Sequence, residues 1–192
     1  MIFKYSMSLV WLVLMFNANA QKLSFYKENI TMKIDNNNFF VTGTYHLKGD
    51  SAAKHLLMYP FPVDSALYGV VDSIYVFDLT ADQAIDFEKK TQRMIVFPIY
   101  FGFGNEITLL ISYRQQLLDN QAEYILETTK TWRKPLARAD FQLIVPYSIE
   151  VTGFSYPPDD IAPGDRETLF YWTKFDFMPE YNMILEFRNL NK

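Results

Sequence analysis

Residues 106–117 read EITLLISYRQQL, and their alternation decides the fold. Ile107, Leu109, Ile111 and Tyr113 fall on one face at period 2, the side-chain period of a β-strand. Leu110 interrupts the polar series on the other side. A strand with an apolar residue on its second face is expected in the middle of a sheet, partly covered on both sides.

The same period recurs along the chain, and no window shows a sustained 3.6-residue apolar stripe. Upstream, Ile30, Met32 and Ile34 share one face, and Phe39, Val41, Tyr45 and Leu47 another. Asp35-Asn36-Asn37-Asn38 separates them with residues that accept left-handed backbone and bond their own main chain. Further strands are expected at 54–61, 70–79, 83–89, 93–101, 122–129, 139–146, 149–156, 167–175 and 182–188. Regular short strands separated by turn residues predict an all-β sandwich or barrel. Pro60, Pro62, Pro98, Pro146 and Pro179 lie in or beside these segments, where each removes a ladder donor and fits only an edge, a bulge or a terminus. Edges belong to sandwiches, so the expectation is an antiparallel β-sandwich, immunoglobulin-like in the broad sense, of about nine to eleven strands. A membrane barrel is the weaker alternative, because the apolar faces are not opposed by a consistently polar lumen series.

The first twenty residues predict the compartment. Lys4 is followed by an apolar run from Tyr5 to Phe16 and a small-residue ending, Ala18-Asn19-Ala20. That is the pattern of a secretory leader cleaved after Ala20, and the run falls short of the roughly 20 residues a membrane-spanning helix needs. Residues 21–192 are then expected to form one domain, exported to the periplasm or beyond, with no transmembrane helix. The chain has no cysteine, which removes disulfides, thiol catalysis, thiolate metal sites and a lipid-attachment cysteine. Stability must come from the core, and aromatic residues make up 17% of the chain to supply it. Net charge is −4 and becomes −5 once Lys4 leaves with the leader, which argues against a nucleic-acid partner.

The succession YPFP, GNEITLLISYRQQL and YILETTKTWRKPLARADFQLIVP, spanning Phe39 to Pro146 with its surroundings, resembles uncharacterised secreted bacterial β-sandwich proteins. It is also loosely similar to the β-sandwich modules that precede von Willebrand-type domains in inter-α-trypsin inhibitors. The resemblance implies the fold class and no activity.

Motifs for catalysis are missing: there is no Gly-x-Ser-x-Gly elbow, phosphate loop or His-Glu-x-x-His pair. His46 and His55 are the two histidines, on segments that a hairpin would bring together, and two ligands do not make a typical zinc site. Phe101-Gly102-Phe103-Gly104-Asn105 reads as a turn. Four further features invite function. Trp132, Arg133 and Lys134 form a basic aromatic cluster that reads first as a plug over the end of the core, and second as a platform for a glycan or an anionic partner. Trp172 belongs to one of two alternating series along ETLFYWTKF, and would be an exposed aromatic if the other series is core. Asp159, Asp160, Asp165 and Glu167 gather oxygen donors of the kind Ca²⁺ takes, in a loop without EF-hand spacing, so a solvated acidic turn is the competing reading. Finally, carboxylates far apart in sequence would suit a glycoside hydrolase. The function expected is a non-catalytic module binding a protein partner, with a carbohydrate-binding module and that hydrolase as alternatives.

Overall fold

The computed structural model describes residues 23–49, 54–102 and 104–190; the expected leader lies outside them. Fourteen strands account for nearly all regular structure: β1 (Ser24–Asp35), β2 (Asn38–Lys48), β3 (Lys54–Pro60), β4 (Tyr68–Asp78), β5 (Gln83–Ala84), β6 (Glu88–Thr91) and β7 (Met94–Tyr100). Then come β8 (Glu106–Leu117), β9 (Gln121–Tyr124), β10 (Leu136–Pro146), β11 (Ile149–Phe154), β12 (Asp160–Pro163), β13 (Glu167–Phe177) and β14 (Met183–Asn189). This exceeds the nine to eleven expected. The segment at 83–89 divides into β5 and β6, which join different sheets, and the acidic loop contains β12.

Eight strands form one open sheet in the order β12-β13-β10-β1-β2-β8-β4-β5. Two three-stranded sheets, β11-β14-β9 and β3-β7-β6, supply the opposing layer. Side chains from both layers meet in one core: Tyr113 packs on Phe61 and Tyr59, Phe141 on Tyr124, and Trp172 on Phe154. β8 sits between β2 and β4, with Ile107, Leu109, Ile111 and Tyr113 buried, as its alternation requires. The β1–β2 connection places Asn36 and Asn37 in the left-handed region, with φ of 48° and 59°. Positive φ at both central residues is the two-residue hairpin geometry that matches strand twist.

One pairing departs from an antiparallel sandwich: β1 and β10 run parallel, with Ile30 opposite Phe141. The prolines fall where a missing donor does least harm. Pro60, Pro146 and Pro163 end their strands. Pro98 lies within the middle strand of its sheet, but beyond Val96 no β6 residue pairs with β7, so on that side β7 is locally an edge.

The strand expected at 122–129 stops at Tyr124, and Glu127–Trp132 forms a 3₁₀ helix. The cause is Asn182, whose Oδ1 accepts from the amides of both Leu126 and Glu127 at 3.0 Å. Those amides therefore never enter a ladder.

Candidate interaction surface

The structure separates the residues the sequence singled out. Trp172 lies on β13 with Phe170 on the core face and is 1% exposed, its indole Nε1 donating to the Tyr156 carbonyl at 2.8 Å. It is unavailable to a ligand, which corrects its reading as an outward aromatic. The other series, Leu169, Tyr171, Thr173 and Phe175, faces outward instead, and Phe175 is 66% exposed with the Arg138 guanidinium 5.6 Å from its ring centre. Trp132 closes the 3₁₀ helix and lies half-buried against Phe25, ring centres 5.9 Å apart. That position is the plug rather than a free platform. Arg133 caps the helix in the left-handed region at φ 56°, its amide donating to the Lys130 carbonyl, and Lys134 follows it into solvent.

The acidic residues do not converge. Asp159 accepts from the Lys174 ammonium at 2.6 Å and from the Thr173 amide at 2.8 Å. Burial pushes its carboxyl up, but those two donors outweigh it and hold it below the ordinary carboxylate range. Asp160 and Glu167 stand at opposite ends of the β12–β13 ladder, where Asp160 pairs with Tyr171 and Glu167 begins β13. Four residues of strand separate such ends by roughly 13 Å, too far for one ion's shell of ligands. Asp165 is exposed in the turn between them. Among the described residues no three His, Asp or Glu side chains gather in a metal-holding arrangement, so the Ca²⁺ reading of this loop fails on geometry. Nor do the histidines meet. His46 is on the outer face of β2 with Nδ1 3.1 Å from the Thr108 hydroxyl, whereas His55 is in the other layer, edge-on to Phe101.

A buried acid escaped the sequence reading. Glu28, on β1, is 2% exposed and sits on the core face between Tyr45 and Ala139 of the neighbouring strands. The Tyr124 hydroxyl donates to its Oε2 at 3.2 Å, while Oε1 has no partner. Tyr45 Oη continues the chain, 3.0 Å from Tyr124 Oη and 2.7 Å from Tyr59 Oη. Burial raises the Glu28 carboxyl to about 8, against which the Tyr124 hydrogen bond acts weakly. A protonated Glu28 leaves only a neutral hydroxyl at Oε1 unpaired, a far smaller penalty than an unpaired charge. The parity of Ile30, Met32 and Ile34 was the signal available, because Glu28 continues their face. Packed among tyrosines inside the core, this acid touches no surface a substrate can reach.

Two exposed surfaces remain. On the small sheet, the outward side chains of β3 pair with β7 as Lys54 with Tyr100 and Leu56 with Pro98, while Met58 stands opposite the buried Val96. Leu56 is 67% exposed, Tyr100 56%, and Met58 also faces solvent. This is an apolar patch on a strand that, among the described residues, pairs with β7 alone. On the large sheet, the uncovered face carries a row running across neighbouring strands: Tyr171, Gln142, Thr31, Thr42, Ser112 and Tyr75. The row crosses six strands, roughly 24 Å at ~4.8 Å per strand. A shallow open depression lies along it, lined by Thr31, Lys33, Asp35, Phe40, Thr42 and Ile144.

Neither a scan against protein-family models nor a search of curated proteins finds a match. Solved structures share the fold. A candidate nutrient binding protein of Legionella pneumophila superimposes with a TM-score of 0.65 at 12% identity, covering 86% of this chain and 67% of its own. Two-domain M1 zinc metallopeptidase variants, bound to L-arginine and to L-tryptophan, give TM-scores of 0.52 and 0.51 at 10% and 9% identity. They match 86% of this chain, which spans 42% and 43% of theirs. Likeness at such identities concerns the fold alone. Among the described residues no helix is long and apolar enough to cross a membrane.

Proposed function

We propose that this protein is an exported, non-catalytic module of the cell envelope or extracellular space whose task is to hold a protein partner. The observation that carries the reading is the apolar outer face of β3 and β7, where Leu56, Met58 and Tyr100 stand in solvent beside Pro98. Contiguous exposed apolar side chains on one face mark interaction sites. The leader-like residues 1–20 support export, and the cysteine-free composition is consistent with a domain held together by its core. Among the described residues Glu28 is the carboxyl strongly displaced toward neutrality, and its burial supports a structural rather than a catalytic role for that acid. In vivo crosslinking tests the reading: a partner joined to the wild type and lost from Tyr100→Ser and Leu56→Glu supports it, and equal crosslinking overturns it.

A second reading rests on the outer row of the large sheet. Hydroxyl and amide side chains between Tyr171 and Tyr75 offer hydrogen bonds on a flat surface with aromatic ends, which suits a carbohydrate. The name of the Legionella neighbour, nutrient binding, is compatible with it. This carbohydrate site differs from the one the sequence suggested, because Trp172 is core and Trp132 is half-buried. Glycan binding that survives Tyr171→Ala and Thr42→Val would exclude it.

A further inference from the structure

The strands at the sheet ends are protected in different ways, and one is not. In the large sheet, β12 begins with Asp160 and ends in Pro163, and β5 is two residues long. In the small sheets, β6 reads Glu-Lys-Lys-Thr, β9 has four residues, and β11 is interrupted by a register shift between Val151 and Gly153. Charge, proline, brevity and bulges are the standard means of keeping an edge from pairing. β3 has none of them in its interior. It runs seven residues, KHLLMYP, with charge only at its first residue and proline only at its last. Among the described residues no strand but β7 runs alongside it.

The outward residues of β3 are also self-complementary. In an antiparallel pair centred on Leu57, Leu56 of one copy stands opposite Met58 of the other, twice. Lys54 stands opposite Pro60, so no like charges meet. The two β7 strands then extend the apolar face on both sides with Pro98 and Tyr100. An arrangement in which each residue finds its counterpart about one axis is what a two-fold interface requires.

We propose that β3 is a self-pairing edge, through which two copies of this chain join antiparallel about Leu57 and fuse two three-stranded sheets into one. The proposal rests on the interaction reading above and names a second copy as the occupant of the patch. Backbone hydrogen bonds along the strand hold the pair, and the Leu56–Met58 contacts set its register. Seven residues span roughly 23 Å of strand. An interface built on them falls below the ~1,600 Å² of a standard stable complex. The dimer is therefore weak, with a Kd on the order of 10 µM to 1 mM.

Sedimentation of the purified protein from about 1 µM to about 1 mM tests it. The wild type is expected to pass from monomer to dimer as concentration rises. Leu56→Glu and Met58→Lys, both at solvent-facing positions, should each weaken dimerisation at least tenfold while leaving the melting temperature unmoved. An equimolar mixture of the two variants should dimerise better than either alone, because one Glu–Lys and one Leu–Met contact then replace two mismatches. A monomer throughout the range, or a dimer indifferent to both variants, overturns self-pairing. If the wild type stays monomeric but the same variants lose a crosslinked envelope partner, self-pairing falls and the interaction reading stands. Loss of neither dimer nor partner overturns both.

Discussion

Replacing Glu28 with glutamine should change how stability depends on pH more than any other single substitution. The carboxyl ionises at about 8 in the folded protein, against an ordinary value of 4.5. The folded chain therefore retains a proton that the unfolded chain has lost, and stability falls as pH rises between those values. Below 4.5 both states are protonated and nothing is lost; above about 8 both are ionised and the full penalty of a buried charge is present. Linkage gives a slope of about 1.4 kcal/mol per pH unit across the interval, and on the order of 4–5 kcal/mol in total. Glutamine preserves the shape and still accepts from the Tyr124 hydroxyl, but it cannot ionise. Urea unfolding of both proteins from about pH 5 to pH 9 measures the effect. The two should be of similar stability at pH 5, and the variant should be the more stable by several kcal/mol at pH 9, with a nearly flat profile. Parallel profiles for the two proteins would refute the argument, and with it the claim that Glu28 is held neutral by its surroundings.

Arg133→Gly should stabilise the protein by roughly 0.5–1 kcal/mol in thermal unfolding, because glycine accepts the left-handed cap that arginine occupies at φ 56°. Gly43→Ala should destabilise by roughly 1–3 kcal/mol, since a β-carbon there would stand 2.6 Å from Tyr45 Cζ and 2.7 Å from the Ile30 side chain. Trp172→Ala is expected to cost about 3–5 kcal/mol, the range for emptying a large aromatic site, and Trp132→Ala distinctly less because its ring is only partly covered. Calcium at millimolar levels should leave the melting temperature unchanged, and an upward shift would restore the acidic loop as a cation site.

Alternation made the large sheet legible: Ile107 to Tyr113 and Ile30 to Ile34 read as core-facing series, and so they are. Alternation alone does not say which series faces in when both are apolar. That is why ETLFYWTKF, with aromatics at 170, 172, 171 and 175, was open to either assignment and Trp172 came out on the core side. The 3₁₀ helix was hidden for another reason, because the group that diverts Leu126 and Glu127 from a ladder is Asn182, more than fifty positions away. Glu28 was masked by its chemistry, as a charged residue between Lys27 and Asn29 looks solvated until its neighbours across the sheet are known. The patch on β3 was visible as letters, in KHLLMYPF, but its exposure depends on no strand lying beyond it.

The parallel union of β1 and β10 has a consequence for the order of events during synthesis. Ile30 waits for Phe141, about 110 positions further along, and such distant closures are the slow steps of folding. Until residues 136–146 emerge, the first hairpin can gather β8 and β4 on one flank while the other flank of β1 stays unsatisfied. The sheet is thus two parts joined along the β1–β10 seam, which cannot close before β10 is made. A chain built this way remains unfinished for as long as its last third is unmade, a property that would suit the export proposed above.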